Sequence, residues 1–316
     1  MLAIEIGGTK LQLVVADAAG QIVQRLRLSV AADRGAPGIR QQIETHLPPL
    51  LRSRRIGRIA VGFGGPVDWR TGRVARSHQI EGWSDFDLAG WLRALTGLPV
   101  IVDNDANMAA LGEARRGAGV GFDPVFYVTL GSGVGGGLVV GGRIYHGAPP
   151  GEVEIGHVRL DRAGTTVESR CAGWAVDRRI RQLKTTHPDC PLSRLLDETP
   201  GGEARHLATA LAQGDPVAAG LLEEVAGDLA FGLSHVTHLF HPQILILGGG
   251  LAGVGEPLRG AVERALCPWL MEVFRPGPRV ALAALGADAV PVGALECAMS
   301  APCAEATGTV DHGTQH

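Results

Sequence analysis

Three kinds of residue in this chain could do chemistry. The first are glycine groups at the ends of apolar, strand-like stretches: Gly7-Gly8-Thr9, Gly131-Ser132-Gly133 and Gly248-Gly249-Gly250. Glycine lets a turn aim backbone N–H groups at phosphate oxygens with no Cβ in the way. Any one of these alone is an ordinary tight turn; the three in this order point to a phosphate-binding cleft. The second is Asn104-Asp105, directly after the apolar run Val100-Ile101-Val102 and at the start of a helical pattern. Asp105 is a candidate proton acceptor, which the helix N-terminus should hold fixed with a low pKa. Both residues are also good helix caps, and spacing alone favours that plainer role. The third is Glu154-Ile155-Gly156-His157, a carboxylate and an imidazole suited to pairs of hydroxyl groups, or simply a surface loop.

The glycine turns join strands, not a strand to a helix. Leu11–Val15 after the first turn lacks helical spacing, Asp17–Gly20 reads as a turn, and Gln21–Leu28 alternates as a third strand. Val125–Val140 repeats the strand–glycines–strand arrangement about 120 residues later, which suggests two related halves facing each other. Gly131–Gly136 fits G-x-G-x-x-G, but Leu138-Val139-Val140 and another strand follow where a dinucleotide site needs a helix. No G-x-x-x-x-G-K-[ST] loop occurs. Helical patterns cover 38–51, 88–95, 105–116, 217–240 and 292–299. Pro242 ends the longest, and Pro268 should split a further one over 257–273. Residues 301–316 are polar, without an apolar face, and read as a mobile tail.

Composition sets the bounds. At 316 residues, 45% apolar and 19% charged, the chain can build two cores. Its 46 glycines are about twice the usual share of roughly 7%. A net charge of −3 offers no general attraction to nucleic acid or anionic membrane, and the run Arg52, Arg54, Arg55, Arg58 reads as a solvated helix end. Five scattered cysteines without a C-x-x-C pair predict reduced thiols in a cytoplasmic protein. No apolar run reaches the length of a membrane span.

With these motifs in order, the chain resembles the ROK family of sugar kinases, within the actin-like ATPase fold. The segments that carry the resemblance are IEIGGTK (4–10), VGFGGPVD (61–68), GLPVIVDNDANMAALGEA (97–114), LGSGVGGGLVV (130–140), GEVEIGH (151–157), TVES (166–169) and HPQILILGGGLA (241–252). The resemblance implies an α/β fold of two related domains around a cleft: 1–118, rejoined by the last helix at about 290–300, and 119–289. It places ATP phosphates at Gly7, Gly8, Thr9, Lys10 and at Gly131, Ser132, Gly133, with adenosine near Gly248, Gly249 and Gly250. It makes Asp105 the general base that takes the proton of a sugar hydroxyl. It assigns the sugar to Asn104, Glu154, His157, Glu168, Gln79 and the backbone of Gly64-Gly65. It also implies Mg²⁺ and a homodimer.

Three departures stand out. Glu5 replaces the family's usual Asp before I-G-G-T, and its longer carboxylate would reach Mg²⁺ through water. The C-x-C-G-x-x-G-C zinc loop is missing between His157 and Glu168, and Cys171 cannot replace it, so no structural zinc is expected. Gln79 stands where glucokinase-like members often carry Asn, which leaves the sugar open. The alternatives are a sugar-binding regulator, a pseudokinase and a kinase of a non-sugar polyol. A regulator of this family carries an N-terminal helix-turn-helix, for which a first strand from about Leu2 leaves no room.

Overall fold

The computed structural model describes residues 1–75, 81–149, 151, 153–196 and 201–300. Gln79 and the expected tail at 301–316 lie outside these residues. The opening meander forms as the glycine spacing predicts. β1 (Leu2–Ile6) and β2 (Lys10–Ala16) pair antiparallel around Gly7-Gly8-Thr9, and β3 (Ile22–Ser29) pairs with β2. β1 is buried along its whole length, as a central strand covered on both faces must be. After helix α1 (Gly35–Ser53), β4 (Ile59–Phe63) joins β1 in parallel. A small antiparallel sheet follows, made of β5 (Val67–Asp68), β6 (Arg73–Val74) and β7 (Phe86–Asp87). Helix α2 (Leu88–Thr96), capped by the Asp87 carboxylate at its start and Gly97 at its end, leads to β8 (Val100–Asn104), parallel to β4. The sheet order is β3-β2-β1-β4-β8. Helix α3 (Asp105–Arg116) then leaves β8 without a loop.

The second half repeats this plan. β9 (Val125–Leu130) and β10 (Val134–Val140) form the hairpin, and β11 (Arg143–Ile144) extends it. Helices α4 (Val167–Cys171), α5 (Gly173–Thr186), α6 (Pro191–Arg194), α7 (Leu207–Ala212) and α8 (Pro216–Phe240) intervene. β12 (Ile244–Gly248) pairs in parallel with β9. Helix α9 (Glu256–Leu266) and β13 (Arg279–Leu282), parallel to β12, complete the order β11-β10-β9-β12-β13. The helical pattern over 257–273 divides near Pro268, where α9 gives way to two short 3₁₀ turns. Helix α10 (Ala289–Ser300) returns to pack on β1, β4 and α3.

Small residues fix α3 between the two sheets. A Cβ on Gly293 of α10 would fall 1.6 Å from the Met108 carbonyl oxygen, and one on Gly112 would fall 2.4 Å from that of Ala289. On the opposite face, a Cβ on Gly137 of β10 would meet the Ala110 methyl at 2.6 Å. The backbones touch where side chains would otherwise stand, so the helix that begins with Asp105 has little room to shift. Buried Glu113 completes this junction. Its Oε2 accepts the N–H of Ala118 (2.8 Å) and Ala284 (3.1 Å), and its Oε1 that of Leu285 (2.8 Å). One carboxylate thus ties together both passages of the chain between the sheets.

Candidate active site

Asn104, not Asp105, caps α3. Its Oδ1 accepts the N–H of Ala106 (2.8 Å) and Asn107 (3.2 Å), and its Nδ2 donates to the Gly65 carbonyl at 3.2 Å. Asp105 is the first helical residue, and its Oδ1 takes the Ala106 N–H at 2.8 Å. A Cβ on Gly64 would stand 3.3 Å from Asp105 Oδ2, so glycine there leaves this oxygen unobstructed.

The expectation of a low Asp105 pKa is overturned. Burial pushes the carboxyl up to about 7, and the negative charge of Glu5 adds to the rise. The backbone N–H groups at the helix start and the Lys10 ammonium oppose it and lose. A helix N-terminus acts over about one turn and is worth roughly 0.3–1 kcal/mol when exposed; desolvation of a carboxylate inside a cleft outweighs that.

Asp105 opens into a cavity of about 440 Å³ between the two sheets. Gly64, Gly65 and Asn104 line it from the first half; Gly131, Ser132, Gly133, Glu154, His157 and Glu168 line it from the second. Thr129, which no sequence motif singled out, and Val153 also face it. Glu154 and His157 bracket a 3₁₀ turn (Ile155–His157) and are exposed to the cleft. Glu168 is oriented by α4, which starts in a capping box between Thr166 and Ser169, and its Oε2 accepts the Val134 N–H at 2.9 Å. The cysteine-free segment before it closes on its own backbone: Leu160 N–H donates to Thr165 O at 2.8 Å, and Asp161 Oδ1 accepts the Thr165 N–H at 3.1 Å. Among the described residues no three His, Cys, Asp or Glu side chains converge as a metal-binding group.

The remaining expected residues lie outside that cavity lining. Gly7, Gly8 and Thr9 form the turn of the first hairpin, and Lys10 is the first residue of β2. Gly248 and Gly249 have a packing reason to be glycine: a Cβ on either would fall 2.2 Å from Tyr127 Oη or 2.5 Å from Leu130 N. Gly250 faces open space. Glu5 is buried between Lys10 Nζ, 2.7 Å from its Oε1, and Gln12 Nε2, 2.6 Å from its Oε2. Each Glu5 oxygen thus already accepts a hydrogen bond and has a lone pair left for a water. That fits Mg²⁺ held through its hydration shell, the way this ion is usually bound. Asp103 carries no role in the site read from the sequence. The structure gives it a partly buried contact with His146, and His146 stacks on Trp69. The His146 partner is 43 positions away in the sequence and leaves no local signal.

A family model described as the ROK family matches residues 1–300. The glucokinase of Streptomyces coelicolor is 32% identical over 313 residues, covering 94% of this chain and 96% of the relative. The glucokinase of Halalkalibacterium halodurans is 29% identical over 306 residues, 92% of each chain. Among solved structures, a ROK family glucokinase from Streptomyces griseus in complex with glucose and AMPPNP superposes with a TM-score of 0.83. It shares 32% identity, over 94% of this chain and 98% of that one. The chain belongs to the ROK family. Its fold is that of the ROK kinases, the actin-like ATPase fold. The duplicated sheets, each with a glycine hairpin at one edge of a parallel set, are how this ROK chain builds it.

Proposed function

We propose that this ROK chain transfers the γ-phosphoryl group of ATP to a hydroxyl of a hexose or amino sugar. The observation that carries the reading is Asp105: a carboxylate with its pKa raised to about 7, on the wall of a cavity that both halves line with polar groups. A sugar hydroxyl is a poor nucleophile, and a base whose pKa lies near the working pH is suited to take its proton. In the proposed step, the hydroxyl proton passes to Asp105 Oδ2 as the oxygen attacks the γ-phosphorus and ADP leaves. Asn104, the Gly64-Gly65 backbone, Glu154, His157 and Glu168 hold the sugar's other hydroxyls. The hairpin turns at Gly7–Lys10 and Gly131–Gly133 receive the phosphates, and the open face at Gly250 receives the adenosine. When bound, Mg²⁺ would supply charge neutralisation on the phosphates, and Glu5 would hold it through water. No zinc is invoked.

The domains implied by this reading are 1–118 with 290–300, and 119–289, closing on the shared cavity. A homodimer is part of the proposal. Leu239 and Val273 are each 75% exposed and Trp269 53%, an apolar surface at the end of α8 and beyond α9 that a second copy would cover. No helix among the described residues is long and apolar enough to cross a membrane. The cytoplasm, which holds ATP and keeps thiols reduced, is the proposed compartment. A regulator or pseudokinase needs no tuned base, so Asp105 counts against both. The test is coupled ADP release with Mg-ATP across hexoses, amino sugars and polyols. Sugar-dependent turnover is expected. Turnover with polyols alone would shift the substrate class, and none with any acceptor would overturn the reading.

A further inference from the structure

Asp103 and Asn107 flank the proposed base, and the catalytic step uses neither. Asp103 is 4% exposed. Its Oδ1 accepts the Asn104 N–H at 2.7 Å and Asn107 Nδ2 at 3.0 Å, and its Oδ2 lies 2.6 Å from His146 Nε2. An ionised carboxylate has only acceptor oxygens, so in this pair the imidazole Nε2 carries the hydrogen and donates. His146 follows β11 in the second half of the chain, and its ring stacks on Trp69 of the first half, with centroids 4.2 Å apart and planes 17° apart. Asn107 Nδ2 also reaches the Gly151 carbonyl, at 3.3 Å. Residues 146 and 151 are therefore both fastened to the junction of β8 and α3. The chain then runs on into Val153, which bridges to Gly136, and Glu154, which lines the cavity.

We propose that His146 is a positioning residue. Through Asp103 and Trp69 it sets the gap between Asp105 and the turn that carries Glu154 and His157. The inference rests on the reading of that cavity as the sugar site. A bound hydroxyl must meet Asp105 while its neighbours meet the second half, and a misplacement of about 1 Å costs on the order of a hundredfold in rate. The glycine turns that face ATP lie outside this network, so ATP binding should not feel it.

The experiment compares wild type, H146A and H146Q. It measures equilibrium binding of D-glucose, D-mannose and N-acetyl-D-mannosamine, kcat, both KM values and thermal melts. H146A should weaken sugar binding and lower kcat over sugar KM by roughly ten- to a hundredfold, the scale of one lost hydrogen bond to a charged group. ATP KM should stay within about twofold. H146Q, which keeps an N–H donor for Asp103, should recover much of the loss. Wild-type sugar binding and kcat in H146A would overturn the inference, as would equal losses for sugar and ATP or no rescue by H146Q. The kinase reading fails separately, if the wild-type protein binds a sugar without phosphorylating it. Wild-type protein that binds and phosphorylates no hexose or amino sugar overturns both.

Discussion

Replacing Asp105 with Asn removes a charge that the cleft disfavours and keeps the shape of the side chain. The rise from 3.8 to about 7 means that the folded protein holds the Asp105 proton more tightly than the unfolded chain does. Below about pH 4 the carboxyl is neutral in both states and costs nothing. As pH rises the unfolded chain ionises first, and the wild type loses stability until the folded group has ionised as well, above about pH 7. A rise of about three units at 1.36 kcal/mol each gives roughly 4 kcal/mol as the upper bound. Asp105 keeps partial solvent contact, so about 1–3 kcal/mol is the working expectation. Asn also accepts the Ala106 N–H and is a comparable residue for a helix start. D105N should therefore be more stable than wild type in urea unfolding at pH 8, with a smaller difference at pH 5. Equal or lower stability at pH 8 would refute the desolvation argument.

Other consequences can be measured independently. The acid limb of kcat/KM should have its midpoint near pH 7, because the base must be ionised; E5Q should move the limb to lower pH, since the Glu5 charge adds to the rise. A limb flat down to pH 5 would contradict this. G293A drives a Cβ to 1.6 Å from the Met108 carbonyl oxygen and should cost about 3 kcal/mol or prevent folding, read as a lowered Tm; an unchanged Tm would mean that α3 and α10 are not clamped. Light scattering should give the mass of two chains for wild type and one for L239E, which places a charge on the exposed apolar face; a wild-type monomer would remove the dimer from the account.

Much of the scaffold was legible because glycine turns and apolar runs are local signals. The β1–β2 and β9–β10 hairpins and the bounds of α3 follow from residues within a few positions of each turn or cap. Helix α5 was not legible: only Ala175, Val176 and Ile180 are buried, and its remaining positions are largely basic or polar. The two-residue strands β5, β6 and β7 are too short to show a period. At the site, the residue types at 104, 105, 154, 157 and 168 were readable, and the structure brings all five to one cavity. The charge state of Asp105 was not. The sequence shows its helix start, which lowers the pKa, but neither its burial nor the approach of Glu5 from 100 positions away. Asp103 and His146 stayed hidden for the same reason, since their pairing exists only after the two halves meet.

The most direct test of the central claim is kcat of D105N in sugar phosphorylation, under conditions where its melt shows it folded. A general base typically contributes about 10²–10⁴ in rate. The account predicts a fall of at least about a hundredfold with ATP KM little changed. Near-wild-type kcat would contradict it and leave Asp105 as no more than the first residue of a helix.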